Sequence, residues 1–240
     1  MTETVVRIIA ETDAYLVVYK PHGMHCAPLS EGEEGTLLSW GARLCPAILS
    51  VRGRKEVERG LLHRLDRDTE GLVLLAKTQR AYDSLSESQE RGVFLKEYEA
   101  LCVGSSSTVL VDRTLPFAIE SGFRPFGPGR RVVRPVETDG DGNALSGRVL
   151  ELALDRGHPY RTNVLALSDA SSTGNIRTLV RAGLARGFRH QVRCHLAWIG
   201  LPLVGDELYG KADGENLALR AVALMFPDPE NGSPVRIDLH

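Results

Sequence analysis

A chain of 240 residues can bury one sizeable core, which excludes a large multidomain machine. Hydrophobic residues at 42% and charged residues at 25% exclude intrinsic disorder, and no apolar run approaches the length of a membrane span. The net charge of -2 argues, at first sight, against a nucleic-acid partner, because binding phosphate needs positive surface.

The segment from Met1 to Ala10 carries acidic Glu3 and no long apolar run, so no signal peptide is expected and the expected compartment is the cytoplasm. Tyr15 to Tyr19 is apolar and β-branched and is stopped by Lys20-Pro21-His22-Gly23, which predicts a strand ending in a turn. After Gly35-Thr36, the residues Leu37, Leu38, Trp40, Leu44 and Ile48 follow the helical period, with Pro46 marking an end or a kink. Leu72 to Ala76 is a short continuous apolar run, the pattern of a central strand covered on both faces. Gln79 to Arg91 predicts a surface helix closed by Gly92, and Phe94 to Val103 alternates like a half-buried strand on which Lys96 and Tyr98 share a face.

Gly104 to Gly147, rich in Gly, Pro, Ser and Arg, suits turns and short strands whose topology cannot be drawn. Leu150 to Leu154 and Thr162 to Leu167 read as strands, while Asn175 to Ala185 is open between a strand and a short helix. His190 to Ile199 has helical spacing and stops at Gly200-Leu201-Pro202. The mixture without strict alternation predicts an α+β fold, a mixed, mainly antiparallel sheet flanked by helices, in a single domain spanning 1–240. The four cysteines, Cys26, Cys45, Cys102 and Cys194, form no C-x-x-C pair and read as reduced and mostly buried.

Charge is unevenly placed. Between Ala170 and Gly205 stand Arg177, Arg181, Arg186, Arg189 and Arg193 with no acid, and Arg124 to Arg134 is likewise basic without an acid. The acids gather at Glu31 to Glu34, Asp139 to Asp141 and Asp228 to Glu230, expected as solvated loops. Each arginine run is equally readable as an RNA-facing stripe or as a solvated face.

The sharpest segment is Gly60-Leu61-Leu62-His63-Arg64-Leu65-Asp66-Arg67-Asp68-Thr69-Glu70-Gly71, a charged loop directly before the buried strand. Loops on a rigid scaffold carry catalytic groups, and a carboxylate flanked by Arg64 and Arg67 is expected to stay ionised, since opposite charge at contact distance lowers a pKa by about 1 to 3 units. An ionised carboxylate serves as nucleophile or base. An Asp among arginines is also, more commonly, a surface ion pair, so this pattern alone leaves both readings open.

His63-Arg64-Leu65-Asp66 followed by Asp68-Thr69-x-Gly71 resembles the signature loop of the RluA-type pseudouridine synthases. The resemblance continues in order through Lys20-Pro21-x-Gly23, Lys96-x-Tyr98-x-Ala100, His190-Gln191-Val192-Arg193-x-His195, Gly205-Asp206-x-x-Tyr209-Gly210, and Leu217-Ala218-Leu219 before Phe226-Pro227. It implies a sheet-based catalytic domain with an RNA cleft between two closely packed lobes, isomerisation of uridine in ribosomal or transfer RNA, and no cofactor or metal. No obligate protein partner, no membrane association and no separate N-terminal RNA-binding module are expected.

By the same resemblance Asp66 is the essential carboxylate, Tyr98 packs on the target base, and Arg64 fills the space that a flipped-out base leaves. Lys20 is a candidate phosphate contact, and His63, His190 and Arg193 are candidate RNA contacts. Two positions depart from the family. Where many relatives read Gly-Arg-Thr before His-Gln, this chain reads Gly187-Phe188-Arg189, which makes Arg189 the expected partner of Asp66 and Arg193 the other candidate. Glu70 stands where Ser is usual; it is expected to point outward, because like charge beside Asp66 would oppose its ionisation. The competing reading is an RNA-binding or RNA-folding module without catalysis. A hydrolase using Asp66 and Asp68 as acid and base ranks below both.

Overall fold

The computed structural model describes residues 5–30, 33–110, 113–136 and 160–239. The expected strand Leu150 to Leu154 and the acidic run Asp139 to Asp141 lie outside the described residues. The chain divides into two compact units, Met1–Lys96 with Arg220–His240, and Glu97–Leu219. Among the described residues no helix is long and apolar enough to cross a membrane.

In the first unit β1 (Arg7–Glu11), β2 (Tyr15–Lys20), β3 (Glu70–Ala76) and the late strand Leu219–Pro227 lie side by side in that order, and Pro234–Asp238 pairs with Leu219–Pro227. The pairing is antiparallel except where β3 meets Leu219–Pro227, so this part of the sheet is mixed. That parallel contact runs through Gly71, whose φ is +119°, and a Cβ there would lie 2.2 Å from the Ala221 carbonyl oxygen. Only glycine fits.

Both faces of β3 are buried, as its unbroken apolar run predicts. Leu72, Leu74 and Ala76 join Tyr15, Val17, Tyr82, Leu85, Phe94 and Phe226 in one core cluster. There the Phe94 and Phe226 rings stack with centroids 5.3 Å apart. On the other face Leu75 packs against Gly41 of helix α1 (Leu37–Leu44), which brings the helix backbone close to the strand. Thr36 and Ser39 cap α1 reciprocally, and Pro46 opens a separate 3-10 turn, Pro46–Ser50, so it ends the predicted helix rather than kinking it. Helix α2 (Gln79–Glu90) starts on the Thr78 side chain and ends before Gly92, at φ +73°, in the capping place expected of it.

The chain enters the second unit within β4 (Leu95–Val103). The helical turn α3 (Ser107–Leu110) follows, and then β5 (Phe117–Phe126), β6 (Val132–Val136), β7 (Tyr160–Asp169) and β8 (Arg177–Leu184) complete a run in the order β4-β8-β7-β5-β6. Tertiary pairing resolves Asn175 to Ala185 as strand: β8 runs antiparallel to β7. β5 and β6 form an antiparallel hairpin inside the region whose topology the sequence left undrawn. Helix α4 (Gln191–Trp198) follows β8, and the chain returns to the first unit at the strand Leu219–Pro227, here β9, ending with Pro234–Asp238, here β10. The architecture is α+β with a mixed, mostly antiparallel sheet and few helices, as expected.

Candidate active site

The Asp66 loop enters β3 pinned at nearly every residue. Leu62 N–H donates to the Leu74 carbonyl at 3.1 Å, and Leu74 N–H donates to His63 Nε2 at 3.3 Å. The Cys26 thiol accepts from Leu65 N–H at 3.3 Å and donates to its carbonyl at 3.5 Å. Thr69 N–H closes a turn onto the Asp66 carbonyl at 3.2 Å. Burial pushes the Cys26 thiol pKa up and so keeps it a thiol. These bonds hold a half-buried Asp66 carboxylate on a loop with little freedom to move.

Lys20 completes the clamp and corrects an expectation. It is fully buried, and its ammonium donates to the carbonyls of Pro21, Met24 and Arg67, each at 2.9 Å. All three of its protons are used, so it braces the turn after β2 against the Asp66 loop rather than meeting a phosphate. Burial lowers its pKa, which nearby charges including Asp68 and Asp66 partly restore.

The flanking arginines are also placed otherwise than expected. Arg64 is exposed and pairs with Glu58 at 3.0 Å, while Arg67 pairs with Asp68 at 3.6 Å. Charge pairing at these two positions therefore serves Glu58 and Asp68 rather than Asp66. Glu70, in the place of the usual serine, is held by the Tyr19 hydroxyl and by Arg220 Nε, both at 2.6 Å. Burial together with this bond pushes the Tyr19 pKa up to about 12.

In the second unit Tyr98 lies on β4 with 8% exposure, next to Glu97, which accepts two bonds from Arg181 at 2.9 and 2.7 Å. Arg193 on α4 is buried and makes a fork onto buried Asp206 at 2.8 and 2.7 Å. Asp206 also accepts from Leu208 and Tyr209 N–H, so it shapes the turn that follows as well as holding the arginine. His190, at φ +57°, caps α4 and bonds through Nδ1 to the Tyr209 hydroxyl at 3.0 Å. Arg189 corrects a further expectation: its Nη2 donates to the Arg130 carbonyl at 2.6 Å and approaches that of Val132, so its guanidinium secures the β5–β6 hairpin.

Phe188 explains that outcome. Its ring stacks on Phe123 with centroids 5.1 Å apart and an interplanar angle of 7°, and it meets Tyr160 at 4.9 Å. The position where the family resemblance implied an arginine is here an aromatic packing site, and the next side chain points to the hairpin. Sequence reading missed the Cys26 thiol, Glu58 and the Arg193–Asp206 fork as organising groups. The spacing of Arg193 and Asp206, thirteen residues apart across a helix and a turn, gives no local signal. Among the described residues no group of three or more His, Cys, Asp and Glu side chains is arranged to hold a metal ion.

The family model described as RNA pseudouridylate synthase matches residues 14–198. Ribosomal large subunit pseudouridine synthase D of Yersinia pestis is 29% identical over 204 residues, covering 85% of this chain and 52% of that protein. The uncharacterized RNA pseudouridine synthase YlyB of Bacillus subtilis (strain 168) is 30% identical over 234 residues, covering 96% of this chain and 67% of that protein. The chain thus spans between half and two thirds of the length of these relatives. A solved structure, human RNA pseudouridylate synthase domain containing 1, shares the fold, with a TM-score of 0.65 at 20% identity over 98% of this chain and 83% of that one. With its signature loop, ordered motifs, sheet and family match in agreement, the chain belongs to the RluA-type RNA pseudouridine synthase family.

Proposed function

We propose that this chain isomerises uridine to pseudouridine in RNA, with Asp66 as the catalytic carboxylate. The observation that carries the reading is the pinned loop, in which Lys20, Cys26 and the β3 backbone fix the residues on either side of Asp66. Asp66 frees the base by attack on the ring or on the sugar carbon. The bond between N1 and the sugar breaks, the ring turns, C5 bonds to the sugar, and the C5 proton is lost while N1 gains one. The exchange has no net oxidation or reduction. The uridine must leave its stack for this, at a cost of about a few kcal/mol. Arg64, exposed and braced by Glu58, suits the stacking role in the space left behind. Tyr98 packs on the target base.

The cation role first expected of Arg189 passes in this reading to Arg193, whose guanidinium Asp206 orients. The names of the relatives favour large-subunit ribosomal RNA as substrate class. A second reading, RNA binding without catalysis, is favoured by one observation, the engagement of Arg189 with the hairpin. One experiment separates them: pseudouridine is mapped in RNA from a strain lacking the protein and from strains restored with wild type or Asp66→Asn. Sites regained only with wild type support the enzyme. Sites regained with Asp66→Asn as well refute the role of Asp66, and RNA binding with no site lost favours the second reading.

A further inference from the structure

The basic run Arg124 to Arg134, which the sequence leaves open between an RNA-facing stripe and a solvated face, folds as the hairpin of β5 and β6. No Asp or Glu stands between Ser121 and Val136. One face of this ribbon is fixed. The Tyr209 hydroxyl accepts from Val133 N–H at 2.8 Å, the Cys194 thiol donates to the Val133 carbonyl at 3.4 Å, and Phe123 stacks on Phe188. With the bond from Arg189 to the Arg130 carbonyl, these contacts hold the hairpin along its strands and at its turn.

Register decides what the other face presents. Arg124 lies directly opposite Arg134, and Phe126, opposite Val132, is their neighbour on the same face. Both arginines are exposed, Phe126 is 51% exposed, and the Arg134 guanidinium lies 4.9 Å from the centre of the Phe126 ring. Among the described residues neither arginine side chain is paired with a carboxylate. Like charges directly across a strand pair repel, and a ring left in water adds nothing to the core, so this face is unfavourable in the free protein. β6 is the last strand of the sheet, and arginine with Pro135 suits the blunting of a free edge. That role does not account for the phenylalanine beside them. A ligand that brings negative charge between the two guanidinia and a flat apolar face onto the ring relieves both, and an unpaired nucleotide carries these two groups joined.

We propose that Arg124, Phe126 and Arg134 form a single-strand RNA subsite, in which an unpaired base stacks against Phe126 and its phosphate is held between Arg124 and Arg134. The choice of RNA rests on the functional reading above; the geometry of the subsite does not. A duplex keeps its bases stacked inside, so the subsite selects an unpaired segment of the substrate, a loop or a bulge.

Binding of the full chain to a short unstructured RNA oligonucleotide, and to the same strand annealed to its complement, tests it. Wild type should bind the single strand more tightly than the duplex. Phe126→Ala should weaken single-strand binding about tenfold and leave duplex binding unchanged, and Phe126→Trp should keep wild-type affinity. Arg124→Gln/Arg134→Gln should lower the slope of log affinity against log salt by about 0.7, the release expected for one phosphate. Equal single-strand affinity of wild type and Phe126→Ala, or an equal loss on both probes, overturns the stack, and an unchanged slope overturns the phosphate contact. Arg124→Gln alone removes a repelling neighbour and no partner, so its Tm should equal or exceed that of wild type; a lower Tm overturns the unpaired state on which the subsite depends.

Pseudouridine mapping in the restored strains keeps this test separate from the functional reading. Sites regained with wild type, together with undiminished single-strand affinity in Phe126→Ala, overturn the subsite and leave the reading standing. No site lost on deletion, together with weakened single-strand affinity in Phe126→Ala, overturns the reading and leaves the subsite standing.

Discussion

Replacing Lys20 by methionine keeps an apolar stem of similar length in a fully buried position and deletes the ammonium. The carbonyls of Pro21, Met24 and Arg67 then lose donors that stood at 2.9 Å. Hydrogen bonds to a charged group contribute about 1.5 to 3 kcal/mol each, and the three together are offset by several kcal/mol of ammonium desolvation, leaving a net loss of about 3 kcal/mol. For a chain of this size that is a fall in Tm of about 10 °C. Arg67 adjoins Asp66, so the released loop also misplaces the carboxylate, and a displacement of about 1 Å costs about a hundredfold in rate. Urea unfolding and pseudouridine formation on one RNA substrate measure both. Lys20→Met should lower stability and kcat together and change KM little. Stability within about 1 kcal/mol of wild type with unchanged kcat would refute the clamp.

Two neutral histidines, half-buried His63 and buried His195, both with pKa held near 3 against an ordinary 6.5 by desolvation, make the fold acid-labile. Below pH 6.5 the unfolded chain binds protons that these rings refuse, so stability is lost as pH falls, about 1.4 kcal/mol per pH unit per histidine. His195→Gln, with Ser121 and Thr162 as partners, should roughly halve that slope in urea titrations between pH 6 and about 5. Lys96 acts at the other end. The folded chain releases its proton near pH 8 and the unfolded chain near 10.5, so stability rises across that window by about 3 kcal/mol relative to Lys96→Met. Arg193→Met leaves Asp206 buried and unpaired and should cost about 3 to 5 kcal/mol, with Arg193→Met/Asp206→Leu recovering much of it; equal stability of the two variants would refute the pairing.

What was legible in the sequence is what local pattern determines. The β3 run, the helix that opens after Thr36 and the Gly92 stop each act within a few residues, and each fell where expected. The roles of the charged side chains were not legible, because they depend on partners distant in sequence. Lys20 looks like a surface cation after a strand until Arg67, 47 residues away, is seen to accept from it. Arg64 and Arg67 bracket Asp66 in sequence, yet side chains along an irregular loop diverge, and Glu58 and Asp68 claim them. Arg189 shows the same limit from the other side. Its neighbour Phe188 gains the stacking surface of Phe123 and Tyr160, and that aromatic packing fixes the backbone so that Arg189 reaches carbonyls of the hairpin. In the reading proposed above, the Arg189 cation thus serves architecture rather than chemistry. Arg193, already oriented by Asp206, is then the group whose conservative exchange tests the proposed role: Arg193→Lys keeps the charge but not the fork, and should lower kcat while costing less stability than Arg193→Met.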